Sequence, residues 1–263
     1  TSGKGGVGKT NIVANLAYAL CQMRKKVLIL DADLGLGNLD IFLDLDPRFN
    51  LQHVIYGTKS IEDIIVTGPG GMKIIPASSG VTELTMLSKE QQISLLSQFD
   101  SLYDDIDILL IDTAAGISSN VIYFNIAASE TIVVVSPEPT SITDAYALMK
   151  VLSTKHSKKH FKLVTNYVTG EKEGYGIYER LNLVTDRFLN ISLDYLGYIS
   201  VDKNFTKAVR QKKLIQDLYP DSMASKCFDH LAKAVCELPA TPSNDNIQFF
   251  WRNFFAHENE YVR

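Results

Sequence analysis

The sequence is poor in cysteine, which limits the sites that it can build. Only Cys21, Cys227 and Cys236 occur, and no two of them have the CxxC spacing typical of zinc and iron–sulfur ligands. We therefore expect neither kind of centre, and a function as an iron–sulfur carrier is disfavoured for the same reason. Scattered cysteines of this kind are typical of thiols that stay reduced in the cytosol.

Long apolar runs and an excess of positive charge are also missing. No stretch approaches the roughly 18 apolar residues that a membrane-spanning helix needs, and no signal peptide is visible. The formal net charge is −4, so we expect no direct nucleic-acid partner, because such binding depends on clustered lysine and arginine. The chain is nevertheless 46% hydrophobic over 263 residues, which suits one α/β domain with a large core.

The first ten residues fit the phosphate-loop pattern G-x-x-x-x-G-K-[ST], with Gly3, Gly8, Lys9 and Thr10 at its fixed positions. Glycines let backbone N–H groups turn toward an anion, and a helix beginning near Lys9 adds its positive end. Lys9 supplies a charge for the β- and γ-phosphates, and the Thr10 hydroxyl is placed to bind Mg²⁺. We predict that ATP binds through Gly3, Lys4, Gly5, Gly6, Val7, Gly8, Lys9 and Thr10. The alternative is a glycine-rich turn that happens to precede a helix.

Two carboxylates follow the short apolar strand predicted over 26–31. Alternation along the chain places Asp31 and Asp33 on the same side. Open α/β sheets carry their chemistry at the carboxyl ends of strands. We expect Asp31 to join the Mg²⁺ shell and Asp33 to orient the water that attacks the γ-phosphate. The alternative is a solvated loop with helix-capping aspartates.

A second strand, predicted over 107–112, also ends in an acid. Asp112 is expected to hold Mg²⁺ through water, as in a Walker B strand. The small residues that follow would let Gly116 approach the γ-phosphate. A phosphate loop normally follows a buried strand of its own, and no residue precedes Thr1 in this sequence. We expect that strand to belong to a longer natural chain.

The remaining sequence alternates short apolar strands with helical segments. Strands are predicted over 72–76, 131–136, 161–166 and 195–199, and helices over 11–23, 51–56, 61–66, 88–99, 140–152, 205–210 and 222–237. The pattern predicts an α/β P-loop NTPase with a mostly parallel sheet and helices on both faces. Ser141 and Asp144 resemble a capping box. Asn166 ends a strand, where its amide suits the edge of a purine base; the alternative is a turn residue.

The end of the chain differs from the rest. We predict an ATPase domain over 1–238, a polar linker over 239–246 and an amphipathic tail over 247–263. On a helix, five apolar side chains of the tail share one face: Ile247, Phe250, Trp251, Phe254 and Phe255. Such a helix suits the membrane surface, although the shortage of basic residues makes attraction to anionic lipid weak. The alternative is a helix docked on the protein's own core.

Several motifs together resemble the MinD/ParA family of deviant Walker A ATPases. They are the loop with both Lys4 and Lys9, the run 31–35 followed by Asn38, and the run 112–116. Within that family, residues 138–148, residues 184–189 and the Phe-rich tail are similar to regulators of flagellar number. The resemblance covers essentially the whole chain.

This resemblance implies a slow, Mg²⁺-dependent ATPase that forms an ATP-dependent homodimer. Lys4 would act across the dimer interface on the partner's nucleotide, and Asn38 would contact nucleotide. The protein would move reversibly from the cytoplasm to the inner membrane, at the cell pole, and limit the number and placement of polar flagella. Implied partners are the signal-recognition-type GTPase FlhF, a flagellar transcriptional activator and flagellar switch-ring proteins. In this family the segment that activates FlhF lies upstream of the phosphate loop, outside this sequence.

Three other functions stay open. A MinD-type division-site ATPase has a tail richer in lysine, and residues 138–148 fit it less well. A ParA-type DNA-segregation ATPase draws support only from the basic run 155–160, which is more typical of a solvated surface. A nucleotide-bound scaffold with negligible turnover is disfavoured by the intact Lys9, Asp33 and Asp112.

Overall fold

The computed structural model describes residues 1–33, 39–76, 88–100, 102 and 105–239. The helices are α1 (Lys9–Gln22), α2 (Leu39–Phe42), α3 (Leu51–Ile55), α4 (Ile61–Ile64), α5 (Lys89–Asp100), α6 (Ser119–Ala127), α7 (Pro139–His156), α8 (Glu171–Leu189), α9 (Lys203–Arg210), α10 (Ile215–Leu218) and α11 (Met223–Cys236). The strands are β1 (Val27–Ala32), β2 (Val66–Thr67), β3 (Lys73–Ile75), β4 (Ile108–Thr113), β5 (Ile132–Val135), β6 (His160–Val168) and β7 (Ser192–Ser200). Within these ranges, no helix is both long and apolar enough to cross a membrane.

The strands form two groups with the orders β2-β3-β1-β4 and β5-β6-β7. All neighbouring strands run parallel except β2 and β3, which are antiparallel at one edge. The predicted α/β fold with a mostly parallel sheet is therefore confirmed. The carboxyl ends of the parallel strands consequently meet along one edge, where the phosphate loop also lies.

Thr1 and Ser2 connect the two groups of strands. Ser2 forms a parallel bridge with Ala115, just beyond β4, and the backbone N–H of Val134 in β5 donates to the Thr1 carbonyl at 2.9 Å. A cavity of about 520 Å³ lies beside Thr1, lined by apolar side chains of β4 and β5.

The helices cover both faces of the sheet. Alternate residues of β1 show this division, because Ile29 packs with α1 and α11, whereas Leu28 packs with α3, α4 and α5. A third apolar cluster joins β5 and β6 to α7 and α8. Burial on both faces explains why the strands read as continuous apolar runs in the sequence.

Besides the short helices α2 and α10, the sequence pattern does not predict two longer ones, α6 and α8. The first has Val121, Ile122 and Phe124 buried on several sides, so no single apolar stripe marks it. The second contains Gly174 near its start, and glycine is a weak helix former. A Cβ on Gly174 would lie 2.5 Å from the Tyr195 hydroxyl. A glycine at this position therefore lets α8 pack closely on β7 without displacing these side chains.

The helix predicted over 61–66 is too long. It ends at Ile64, and Val66 pairs with Ile74 in the antiparallel edge of the sheet. A short apolar run does not distinguish a helix from a strand. The strand pairing with β3 decides the conformation here.

The predicted capping box of Ser141 and Asp144 is wrong. The helix α7 begins earlier, at Pro139, because proline is preorganised for the first helical position. Ser141 thus lies inside the first turn, and its hydroxyl accepts a hydrogen bond from the backbone N–H of Ser136 at 3.0 Å.

Candidate functional site

The phosphate loop turns over the carboxyl edge of the sheet and leads into α1. Gly8 precedes the helix with a φ of 88°, a left-handed conformation that glycine adopts without strain. The helix begins at Lys9, where the loop pattern places its start and two residues before the range predicted over 11–23, and it runs for 14 residues. The positive end of a complete helix therefore lies at the loop, which is an arrangement that binds phosphate.

Gly3 is required for a different reason, namely close packing. A Cβ on Gly3 would lie 2.1 Å from the carbonyl carbon of Asp144 and 2.5 Å from the amide nitrogen of Ala145. No side chain fits there, because the loop lies directly on the backbone of α7. The first glycine of the motif thus couples the loop to the first turns of this helix.

Asp31 and Asp112 lie side by side at the ends of β1 and β4. They are partners in the strand register and are only 3% and 2% exposed. Burial, and then the charge of Asp112, raises the pKa of Asp31 to about 7. Burial also raises the pKa of Asp112, although a hydrogen bond from the Thr10 hydroxyl opposes this rise. Two buried carboxylates in contact are costly unless a cation compensates them.

The donor set beside Thr10 fits a divalent cation. One oxygen of Asp112, Oδ1, is buried and has no hydrogen-bond partner among the described residues. No cluster of three or more histidine, cysteine, aspartate or glutamate side chains suited to a metal occurs within the described ranges. A cation held by Asp31, Asp112 and Thr10 would thus need further oxygens, as Mg²⁺ obtains from phosphates and water.

Asp33 lies next to this pair, at the end of a described range. Its backbone N–H donates to Asp31 Oδ1 at 3.1 Å, and its charge contributes to the raised pKa of both Asp31 and Asp112. The structure therefore brings the three predicted carboxylates together. The predicted nucleotide contact Asn38 lies outside the described residues.

Lys4 contacts α7 of its own chain. Its ammonium lies 2.5 Å from Glu138 Oε2 and 2.9 Å from the Thr140 hydroxyl oxygen. The Lys4 side chain is 36% exposed and the Glu138 side chain is 63% exposed. Lys4 is thus at the surface of the loop, and its contact with the exposed Glu138 can be replaced by another contact.

Asn166 reaches the phosphate loop from the end of β6. Its side-chain Nδ2 donates to the Val7 carbonyl at 2.8 Å, and its Oδ1 accepts from the backbone N–H of Tyr167 at 2.9 Å. The amide therefore braces the loop in this structure. Gly116 also adjoins the loop, since its N–H donates to the Ser2 carbonyl at 2.9 Å.

Sequence reasoning misses Glu138, Thr140 and Tyr167 as site residues. Glu138 and Thr140 follow β5, and Tyr167 follows Asn166 in β6. The available signal is that parallel strands bring their carboxyl ends to one edge, but it does not identify which side chains meet. The predicted membrane contacts Ile247, Phe250, Trp251, Phe254 and Phe255 lie outside the described residues.

Comparison with known proteins agrees with this geometry. The AAA domain family matches residues 1–164. The antiactivator FleN of Pseudomonas aeruginosa is 42% identical over 259 residues, covering 98% of this chain and 92% of the relative. The flagellum site-determining protein YlxH of Helicobacter pylori is 35% identical over 233 residues, covering 88% and 79%. MinD of Pyrococcus horikoshii, solved with Mg-ADP, superposes with a TM-score of 0.72 at 25% identity, covering 91% of this chain and 95% of that one.

This chain belongs to the MinD/ParA family of ATPases. The family, its P-loop fold and the similarity to flagellar regulators, all predicted from the sequence motifs, are confirmed. The phosphate loop, Asp31 and Asp112 lie together at the carboxyl edge of the sheet.

Proposed function

We propose that this protein is an ATP-dependent switch that regulates the number and placement of polar flagella, like the regulators called FlhG or FleN. The ATPase activity is supported chiefly by the buried pair of Asp31 and Asp112, which lies beside Thr10 and next to the phosphate loop. The flagellar part is supported by similarity to YlxH, which is named as a flagellum site-determining protein, and to the antiactivator FleN.

The residues of the site divide the work of ATP hydrolysis. Lys9 and the loop N–H groups bind the phosphates, while Thr10, Asp31 and Asp112 hold Mg²⁺, directly or through water. Bound Mg²⁺ supplies charge neutralisation on the β- and γ-phosphates. Asp33, beside Asp31, accepts a hydrogen bond from the attacking water and orients it. Gly116, which has no Cβ to obstruct it, lets its loop approach the γ-phosphate.

Dimerisation completes the site in this proposal. Lys4 is at the loop surface and is bound by exposed groups of its own chain, so it can leave them for the phosphates of a partner's ATP. A positive charge supplied in trans stabilises the transition state, as an arginine finger does. A monomer lacks this charge, which explains why slow turnover is expected.

The downstream partners follow from the flagellar assignment. We propose that the ATP-bound dimer associates reversibly with the inner membrane at the pole through Ile247, Phe250, Trp251, Phe254 and Phe255. There it would act on FlhF, a flagellar transcriptional activator and switch-ring proteins, and return to the cytoplasm after hydrolysis. A MinD-type role in division is the second candidate, because MinD shares the fold and a quarter of aligned residues.

The decisive experiment is complementation in a polarly flagellated bacterium that lacks its own regulator. Expression of this protein should reduce flagella to the wild-type number, counted by electron microscopy, and expression of Asp33→Ala should not. Division-site placement, scored as the frequency of minicells in a strain lacking MinD, should stay uncorrected. Restored division with unchanged flagellar number would overturn the proposal in favour of the MinD-type role.

A further inference from the structure

Tyr167 has an uncommon backbone conformation at the edge of the phosphate loop. Its φ is 60°, in the left-handed region that bulky side chains rarely adopt. Strain of this kind persists where the surrounding structure imposes it, often at functional sites. The location of Tyr167 therefore calls for a functional explanation.

The conformation arises from a β-bulge at the carboxyl end of β6. Asn166 pairs with Ile199 and Val168 pairs with Ser200, so Tyr167 is an extra residue without a partner in β7. A bulge re-aims the side chain that it carries, and bulges are frequent next to active sites. Here the bulge turns Tyr167 away from the sheet and toward the phosphate loop.

The re-aimed ring ends beside Gly8, the last loop residue before α1. A Cβ built on Gly8 would lie 3.1 Å from the Tyr167 hydroxyl oxygen and 3.5 Å from its Cζ. The neighbouring Asn166 donates to the Val7 carbonyl, and its Oδ1 fixes the Tyr167 N–H. Asn166 is thus hydrogen-bonded to Val7, and the Tyr167 ring lies beside the next loop residue, Gly8, while Tyr167 itself is 45% exposed.

The side of the loop on which this happens is significant. Asp31 and Asp112 approach the loop from β1 and β4, whereas Asn166 and Tyr167 approach it from β6, beyond β5. The loop is therefore held on the side opposite to the acidic pair. On the acidic side a bound cation and phosphate can organise the loop, but on the β6 side the protein must do so itself.

We propose that Tyr167 is a positioning residue that holds the phosphate loop in its anion-binding shape before nucleotide arrives. This rests on the proposed ATPase function and adds a determinant of phosphate affinity to it. Preorganising a loop raises affinity because the cost of ordering it is met during folding rather than during binding. Tyr167 acts through Gly8, so its contribution concerns the phosphates and not the base.

The test compares Tyr167→Gly and Tyr167→Asn with Tyr167→Phe and the wild type. Glycine and asparagine tolerate the left-handed conformation but lack the ring, whereas phenylalanine keeps the ring. Displacement of a fluorescent ADP analogue, with Mg²⁺ present, would measure the affinity for ATP and for inorganic tripolyphosphate. Both ringless variants should bind ATP and tripolyphosphate about fivefold or more weakly than the wild type. The affinities of Tyr167→Phe should stay within about twofold of wild type.

Ser157→Gly is the matched control, because Ser157 has a φ of 57° at the end of α7. Relieving strain there should leave both affinities unchanged, and thermal unfolding would show that all variants fold. Loss of ATP affinity alone, with tripolyphosphate unaffected, would overturn the proposal by making Tyr167 a nucleoside contact. Unchanged affinities in both ringless variants would also overturn it. Failure of the wild type to bind ATP at all would instead refute the proposed function.

Discussion

The ammonium of Lys4 lies 2.5 Å from Glu138 Oε2 of the same chain. The lysine that distinguishes the deviant Walker A loop is thus engaged in cis, at the first turn of α7. Before Lys4 can act on a second protomer, this contact has to open. Both side chains are substantially exposed, so the ion pair is worth only about 0.2–1 kcal/mol.

Opening this contact by mutation should favour the dimer. We expect Glu138→Gln to strengthen ATP-dependent dimerisation up to about fivefold, which is the equivalent of about 1 kcal/mol. Light scattering over a concentration series in Asp33→Ala, which retains ATP, would measure it. Asp44→Asn breaks a comparable exposed pair with Lys212 and should have no effect. Weaker dimerisation of Glu138→Gln would show that Glu138 supports the dimer instead of restraining Lys4.

Asp33→Ala should separate ATP binding from hydrolysis. Its carboxylate adjoins the Asp31–Asp112 pair without being part of the strand register, so the phosphate and cation sites should survive its removal. We expect ATP affinity within about threefold of wild type and turnover reduced by about 10²-fold or more. Phosphate release and equilibrium binding are the two measurements. Turnover at the wild-type rate would remove the role assigned to Asp33.

The contribution of the Asp31 carboxyl to the stability of the protein without nucleotide and Mg²⁺ should fall as pH rises from about 4 to 7. The Asp31 carboxyl has a pKa of about 7 in the folded protein against 3.8 ordinarily, chiefly because of burial. Between these values the folded state binds a proton that the unfolded chain lacks, so raising the pH favours unfolding.

Asp31→Asn removes the free-energy cost of ionising this buried carboxyl. At pH 8 the variant should unfold at a higher temperature than wild type, and its free energy of unfolding should be larger by up to about 4 kcal/mol. Both differences should disappear near pH 4. Thermal denaturation followed by circular dichroism would measure both. An equal difference at the two pH values would mean that the Asp31 charge is not responsible.

Two glycines of the loop should respond differently to alanine. Gly3 lies on the backbone of α7, whereas a Cβ on Gly5 would meet nothing within 4 Å. Overpacking costs about 1–3 kcal/mol when neighbours can shift, and a rigid helix backbone at Gly3 places the cost at the upper end. We expect Gly3→Ala to lower the free energy of unfolding measured in urea, with Gly5→Ala unchanged. Equal stability of the two variants would show that loop and helix separate easily.

Membrane binding should depend on nucleotide. Five apolar side chains share one face of the predicted tail helix, and burying each is worth roughly 1.5–3 kcal/mol before ordering costs. Two tails on one dimer bind together, because the second insertion is intramolecular. We expect co-sedimentation with liposomes in ATP and little in ADP, with modest dependence on salt.

Phe250→Glu combined with Phe254→Glu should abolish sedimentation and leave ATP binding in solution intact. Glu258→Gln with Glu260→Gln alters charge in the same segment without touching the apolar face, and serves as the control. Equal lipid binding in ATP and ADP would contradict the dependence of membrane binding on nucleotide. Unchanged binding by the double phenylalanine variant would show that this apolar face does not anchor the protein to the membrane.

The sequence by itself determines the parts of this protein that are local. The phosphate loop is one continuous segment with fixed spacing, so Gly8, Lys9 and the start of α1 are readable without a structure. The buried parallel strands, each an apolar run ending in a polar residue, are readable for the same reason. From these elements the fold and the acidic pair follow, because parallel strands bring their carboxyl ends to one edge.

Only the tertiary structure decides which side chains meet at that edge. Asn166 donates to Val7, 159 residues away in the chain, and Lys4 meets Glu138, 134 residues away. Tyr167 faces the loop because a bulge in the pairing of β6 with β7 turns it there. Strand register, helix start and side-chain direction depend on contacts between distant residues, and a one-residue slip in pairing reverses the side to which a side chain points.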